Sequence, residues 1–265
     1  MYSFNYQKAK SIDDAAKVIA KDDDAKLLAG GQSLIAAMKL RLSKPSDIVD
    51  LGTIKELSGI TADAKAVTIG AMTRHAEVAA SAAVKKAIPA LAALAGGIGD
   101  RMVRNMGTIG GSIANNDPAA DYPAGAVGLG ATIVTNKRKI SADEFFKGMY
   151  ETALGKGEII TSVSFPIPKR AAYMKFKNPA SRYAIVGVFV ADFGSSVRVA
   201  VTGAGPSVFR VAAMEKALTA KFAPESVADI KVPEKGLNSD LHAKADYRAH
   251  LITVMARRAV EAALK

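Results

Sequence analysis

Two prolines in three residues, Pro166-Ile167-Pro168, limit most strongly how this chain of 265 residues folds. Proline gives a sheet no N–H donor and is confined to edges and breaks. Residues 165–170 therefore read as a linker, dividing the chain into 1–168 and 169–265. Before the linker, strands and helices are interspersed. Ser11 caps a helix, with Asp14 at the acidic third position of a capping box, and Asp22-Asp23-Asp24 ends it. Apolar runs predict strands at 26–29, 48–51, 66–69, 131–135 and 159–165. Leu34, Met38 and Leu42, one turn apart each, predict a helix over 33–42. Thr73 reads as the N-cap of a helix through Val78, Pro89 as a break in the apolar helix 84–94, and Ser141 as the start of a short helix. After the linker come strands at 173–177, 184–193 and 197–202, with Gly194-Ser195-Ser196 as a tight hairpin. Helices follow over 211–218, 224–230 and 246–264, the last with Tyr247, Leu251, Val254 and Met255 on one face. This order is α+β rather than a regular βαβ array.

Composition removes several kinds of chemistry. The chain has no cysteine, so it holds no thiol nucleophile, no Cys-bound zinc and no Cys-ligated iron–sulfur cluster. That usage fits a reducing compartment. His75, His242 and His250 are too far apart in sequence to suggest a metal site. A net charge of +11 admits nucleic acid, an anionic membrane face, an anionic cofactor or an acidic partner. Dispersed basic residues, 6% aromatics and no zinc, RNP or helix-turn-helix signature argue against nucleic acid. No membrane span is expected. The first residues lack a charged n-region and an apolar h-region, so a cytoplasmic protein beginning near Met1 is expected.

Two segments carry the chemistry. In Leu28-Ala29-Gly30-Gly31-Gln32-Ser33-Leu34 a strand runs into two glycines and a helix begins at once. Glycines let the backbone approach a ligand, and outward amides at a helix start favour an anion. The same string suits an ordinary strand–helix turn. The second segment lies in a predicted long loop, 96–121. There Gly107-Thr108-Ile109-Gly110-Gly111-Ser112-Ile113-Ala114-Asn115 leads to Asp117 and Asp121. Loops of that length in compact domains are usually functional or disordered, and this one is too apolar for simple disorder. Common fingerprints fail. Met102 stands at the last glycine of a G-x-G-x-x-G beginning at Gly97, and Val208 does so for Gly203. Gly155-Lys156 is followed by Gly157, not Ser or Thr. Ser112 and Ser33 lack the second glycine of a nucleophile elbow.

The paired diglycine strings, with Ile69-Gly70-Ala71-Met72-Thr73 and Tyr183-Ala184-Ile185-Val186, resemble the FAD-binding medium subunit of molybdenum hydroxylases, the xanthine dehydrogenase and carbon monoxide dehydrogenase flavoprotein family. The resemblance runs essentially end to end. It implies a vanillyl-alcohol oxidase-like FAD-binding domain of two α+β subdomains over 1–168. A C-terminal domain with a three-stranded antiparallel sheet and a helical bundle would follow over 169–265. It implies that Leu28, Ala29, Gly30, Gly31, Gln32, Ser33 and Leu34 hold the FAD pyrophosphate from one side. Gly107, Thr108, Ile109, Gly110, Gly111 and Ser112 would hold it from the other. Ala114 and Asn115 would approach the nucleotide, and Asp121 would bind sugar or ribityl hydroxyls. The Ile185 backbone would meet the polar edge of the ring, Tyr183 would cover it, and Lys175 would lie near the same end.

The local chemistry agrees with that assignment. Neither glycine string contains Lys or Arg, so amides and helix dipoles must neutralise phosphate. No catalytic residue is assigned to the chain, and no metal. An iron–sulfur small subunit and a large subunit with the molybdenum cofactor are the implied partners, in a dimer of heterotrimers. Electrons would pass from their clusters through the flavin to an external acceptor. One departure concerns the flavin itself: 182–188 has no lysine, where some relatives place one against the flavin carbonyl. The competing reading is a self-sufficient FAD-dependent oxidase or dehydrogenase, but no substrate acid–base group stands out.

Overall fold

The computed structural model describes residues 1–265 as a mixed α/β chain built on four β-sheets. Strands β1 (Asn5–Lys8), β2 (Lys26–Leu28) and β3 (Asp47–Asp50) form a parallel sheet ordered β1-β3-β2. Parallel neighbours need crossovers, here the helices Ile12–Lys21 and Leu34–Lys39. The first fifty residues are thus a small βαβαβ unit, which the α+β reading did not include. Its first strand left no alternating signal because all four of its side chains are exposed. Ser11 caps the first helix, its Oγ accepting from Asp14 N at 3.1 Å.

An antiparallel sheet follows. Its early strands are β4 (Ile60–Ala62), β5 (Ala66–Gly70), β6 (Thr132–Thr135) and β7 (Lys139–Ser141). After the ribbon of β8 (Phe146–Gly148) and β9 (Glu151–Thr152), strand β10 (Ile160–Pro166) enters the centre, giving the order β4-β5-β10-β6-β7. β5 buries Val67 and Ile69 on one face, the period-2 pattern of a strand with one wet side. β10 stops at Pro166, where the predicted break lies.

The last sheet is β11 (Arg170–Lys177), β12 (Ala184–Asp192), β13 (Val197–Thr202) and β14 (Phe209–Arg210), antiparallel in that order. The three predicted strands are therefore four, the last having only two residues and no sequence pattern of its own. β12 is buried along its whole length. Phe189 and Ala191 pack with Leu91, Leu94 and Tyr122, while Val186, Val188 and Val190 pack with Ile252, Met255 and Val260 of helix Ala245–Ala263. Burial on both faces explains its unbroken apolar run. Of the predicted face, Leu251 and Met255 are buried and Val254 packs against the same cluster, whereas Tyr247 is exposed; Arg248, Ile252 and Ala259 widen the buried face.

The predicted long loop is corrected most. Residues 101–106 and 109–115 are helical (Arg101–Met106 and Ile109–Asn115). Asp100 accepts from Val103 N at 2.8 Å, and Thr108 Oγ1 from Gly111 N at 3.1 Å. Gly110 and Gly111 hid the second helix, since glycine has poor intrinsic propensity, and the first is only six residues long; helices this short are held by packing. Gly110 shows that packing: a Cβ there would stand 2.6 Å from the Ala71 Cβ and 2.7 Å from its carbonyl oxygen. Thr73 is not a helix cap. Its hydroxyl bonds Gly59, and the helix His75–Ala80 is capped at Arg74, whose N donates to Glu77 Oε2 at 2.7 Å. Pro89 breaks the chain as expected, ending Ala82–Ala87 and opening Pro89–Gly96 at its first position. No helix is long and apolar enough to cross a membrane.

Candidate functional site

A cleft of about 630 Å³ lies where the end of β2, the helix Ile109–Asn115 and the tip of the β11–β12 hairpin approach one another. Residues 29–34 form one wall. Past Leu28 the chain leaves the sheet, and the backbone N–H groups of Ala29, Gly30, Gly31, Gln32, Ser33 and Leu34 meet no acceptor within the chain. Backbone donors are ordinarily paired; six in succession at a cleft wall are free for an anion. Gly31 takes φ +70, and Gly30 lies so close to the second segment that a Cβ would stand 2.6 Å from Gly107 Cα.

The second diglycine string does something else. Ile109 N donates to Thr73 O (3.1 Å), Gly110 N to Ala71 O (2.8 Å), Gly111 N to Thr108 Oγ1 (3.1 Å) and Ser112 N to Thr108 O (3.0 Å). Its amides are spent within the fold. Its glycines allow close approach, and the first string keeps its donors free.

At the far end, Asp121 is a buried carboxylate already engaged. Tyr173 donates its hydroxyl to Oδ1 at 2.5 Å, and Lys175 Nζ lies 3.1 Å from Oδ2 while also donating to Gly97 O at 2.9 Å. Burial pushes the Asp121 carboxyl upward against the opposing pull of Lys175 and Tyr173, and pushes the Tyr173 hydroxyl well above its ordinary value. At the opposite, apolar end Glu158 is taken by Arg138 (2.9 Å), Thr135 (2.8 Å) and Gly155 N (2.8 Å); the Arg138 bond leads in holding its carboxyl at about 2.

The structure gathers most of the expected site residues. Residues 29–34, Gly107, Thr108, Gly110, Gly111, Ser112, Ala114, Asn115, Asp121 and Tyr183 all line the cleft. Leu28, Ile109, Lys175 and Ile185 do not. Leu28 ends β2, Ile109 sits in the core, and Lys175 stands behind Asp121. Ile185 faces a second cavity of about 410 Å³, and its carbonyl accepts from Arg248 Nη1 at 2.6 Å. Tyr183, partly exposed, borders both cavities. No group of three His, Cys, Asp or Glu side chains is placed to hold a metal ion.

Leu51, His75, Val103 and Ile159 also line the cleft and were not foreseen. They come from separate elements and share no string. Only His75 had a usable signal, lying three residues before the buried Val78 on one helical face. Burial, helped by Arg104, lowers its imidazole to about 4 from 6.5. Between those values the unfolded chain binds the extra proton, so stability falls as pH falls from 6.5 to 4. Urea titrations across that window are expected to show a shallower acid loss in His75→Gln than in wild type. Equal slopes would mean the ring is not held neutral.

Residues 2–168 match the family model described as "FAD binding domain in molybdopterin dehydrogenase". The chain is 36% identical to the nicotine 6-hydroxylase medium subunit of Paenarthrobacter nicotinovorans, over 97% of this chain and 96% of that one. It is 35% identical to the carbon monoxide dehydrogenase medium chain of Hydrogenophaga pseudoflava, over 98% and 96%. Its fold is similar to a solved chain of carbon monoxide dehydrogenase from H. pseudoflava, with TM-score 0.89, 35% identity, and coverage of 98% and 97%.

Proposed function

The chain belongs to the family of FAD-binding domains in molybdopterin dehydrogenases, and from that premise we propose that it is the flavin-carrying medium subunit of a heteromeric molybdenum hydroxylase. The observation that carries this reading is the run of six unpaired amides at 29–34 beside a backbone contact that only glycine permits. That wall fits a dinucleotide pyrophosphate, which needs several donors and no lysine. When bound, FAD would collect electrons singly from iron–sulfur clusters of a small subunit and pass them to an external acceptor, while substrate would be oxidised at the molybdenum cofactor of a large subunit.

This chain's residues bind and orient. The amides of 29–34 receive phosphate oxygens; Gly107, Thr108, Gly110, Gly111 and Ser112 close the opposite wall; Ala114 and Asn115 border the nucleotide. Asp121, its charge balanced by Lys175, offers its remaining lone pairs to sugar or ribityl hydroxyls. Tyr183, which borders both cavities, would stack on the ring with its hydroxyl wet; the backbone at Ile185 faces the second cavity and would meet the ring's polar edge only from that side. We divide the chain into a vanillyl-alcohol oxidase-like domain of two subdomains over 1–168 and a sheet-plus-helices domain over 169–265. Pro166 and Pro168 support that boundary. The assembly is a dimer of heterotrimers in the cytoplasm, consistent with a chain that has no cysteine.

The competing self-sufficient oxidase needs an acid–base group free at the cleft. Asp121 and Glu158 are both engaged, and burial, helped by Arg104, holds the His75 imidazole at about 4, too weak a base to take a proton readily at neutral pH. The purified chain is expected to take up one FAD that acid or heat releases. The organic substrate should reduce that flavin only when the two partner subunits are added in stopped flow. Rapid reduction by substrate in the isolated chain would overturn the electron-transfer reading.

A further inference from the structure

His75 plays no part in the reading above. The residue is 4% exposed, its Nδ1 is buried without a partner, and it lines the cleft. The Nε2 edge lies against Gly107, where a Cβ would stand 2.6 Å from Nε2 and 2.9 Å from Cδ2. His75 N donates to Gly107 O at 2.9 Å, so ring and glycine are fixed to each other. Gly30 stands at the same glycine, its Cβ position 2.6 Å from Gly107 Cα. The imidazole therefore reaches the cleft where the two glycine segments touch, beside the unpaired amides. Tyr122 packs against the ring, with centroids 5.3 Å apart.

A neutral imidazole carries one N–H and one lone pair. Buried N–H groups without an acceptor are rarer in proteins than acceptors short of a donor. The lone pair therefore belongs on the enclosed Nδ1 and the proton on Nε2. Gly107 keeps that Nε2–H uncovered, since any side chain there would collide with it.

We propose that His75 is a cofactor-binding residue, its Nε2–H donating to a pyrophosphate oxygen of FAD held against residues 29–34. This rests on the FAD-binding reading and adds a donor that neither glycine string contains. The contact supplies a hydrogen bond without a buried positive charge, which suits a site whose other donors are amides.

With only three histidines in the chain, nitrogen NMR of histidine-labelled protein is simple to assign using His75→Gln. The His75 Nε2 resonance is expected to move on adding FAD or adenosine diphosphate, which share the pyrophosphate, and to stay unmoved with riboflavin, which lacks it. His75→Phe is expected to weaken FAD binding about ten- to a hundredfold, the loss of one hydrogen bond to a charged group. His75→Gln, whose amide nitrogen replaces Nε2, should stay within about threefold of wild type by the same reasoning. A packing role alone would favour the Phe variant over Gln. Wild-type protein that binds FAD with an unmoved Nε2, or Phe and Gln variants of equal affinity, would overturn the assignment. If the Phe variant does not fold, the wild-type spectra decide. Wild-type protein that binds no FAD would instead remove the functional reading itself.

Discussion

Gly31→Val is expected to yield a folded protein with almost no flavin. Gly31 sits at φ +70, a region in which a β-branched residue is a genuine outlier, at a cost on the order of 1–3 kcal/mol. The new Cβ would meet side-chain atoms alone, Ile35 Cδ1 at 2.5 Å and Leu28 Cδ1 at 3.4 Å, so sterics alone do not decide the outcome. The backbone does. Residues 29–33 belong to no sheet or helix, and their amides are not tied to the rest of the chain. The segment can therefore change conformation with little loss to the fold, but its amides then lose their common direction. Losing even two hydrogen bonds to charged phosphate, at about 1.5–3 kcal/mol each, weakens binding more than about a hundredfold. Flavin absorbance per protein, read beside circular dichroism, measures both effects. Gly30→Ala is the useful contrast. Its Cβ would run into the backbone of Met106 and Gly107, so thermal stability should fall as well. Gln32→Ala should change little. Full flavin occupancy in Gly31→Val would show that these amides do not hold the cofactor.

Asp121→Ala is expected to destabilise the fold itself. From the sequence, Asp121 reads as a cofactor ligand whose loss weakens FAD by roughly 1–3 kcal/mol. In the fold it is also the only carboxylate paired with the Lys175 ammonium, whose side chain is 9% exposed. Removing one partner of a buried pair leaves an uncompensated charge, typically about 3–5 kcal/mol. Tyr173 loses its acceptor as well. Urea denaturation of the apo protein should show a loss of that order, with flavin affinity falling in addition. The double variant Asp121→Ala/Lys175→Met should recover much of the stability, because the stranded charge is gone, but not the flavin affinity. If Asp121→Ala alone leaves the denaturation midpoint unchanged, the pair is not holding the β11 end against the cleft.

The sequence by itself located the cleft's first wall. A strand running into Gly30-Gly31 and straight into a helix is a local pattern, and what it does depends on backbone conformation set within a few residues. The same holds for the break at Pro166 and Pro168, for the Gly194 hairpin, where Phe193 N donates to Ser196 O at 2.9 Å, and for the unbroken apolar run of β12. The strand β1 and the parallel pairing at the N-terminus, the helices at Arg101–Met106 and Ile109–Asn115, and β14 were not legible, because short or glycine-rich elements form only where distant surfaces receive them. Ala71, which meets Gly110, lies in the turn just after β5. Only the tertiary structure decided which polar groups are free. Asp121 meets Tyr173 and Lys175, 52 and 54 residues away, and the amides of 109–112 are consumed while those of 29–34 are not. His75 belongs to the same class. Burial, pairing and the direction of a lone pair are properties of neighbours brought together by folding, and no spacing along the chain encodes them.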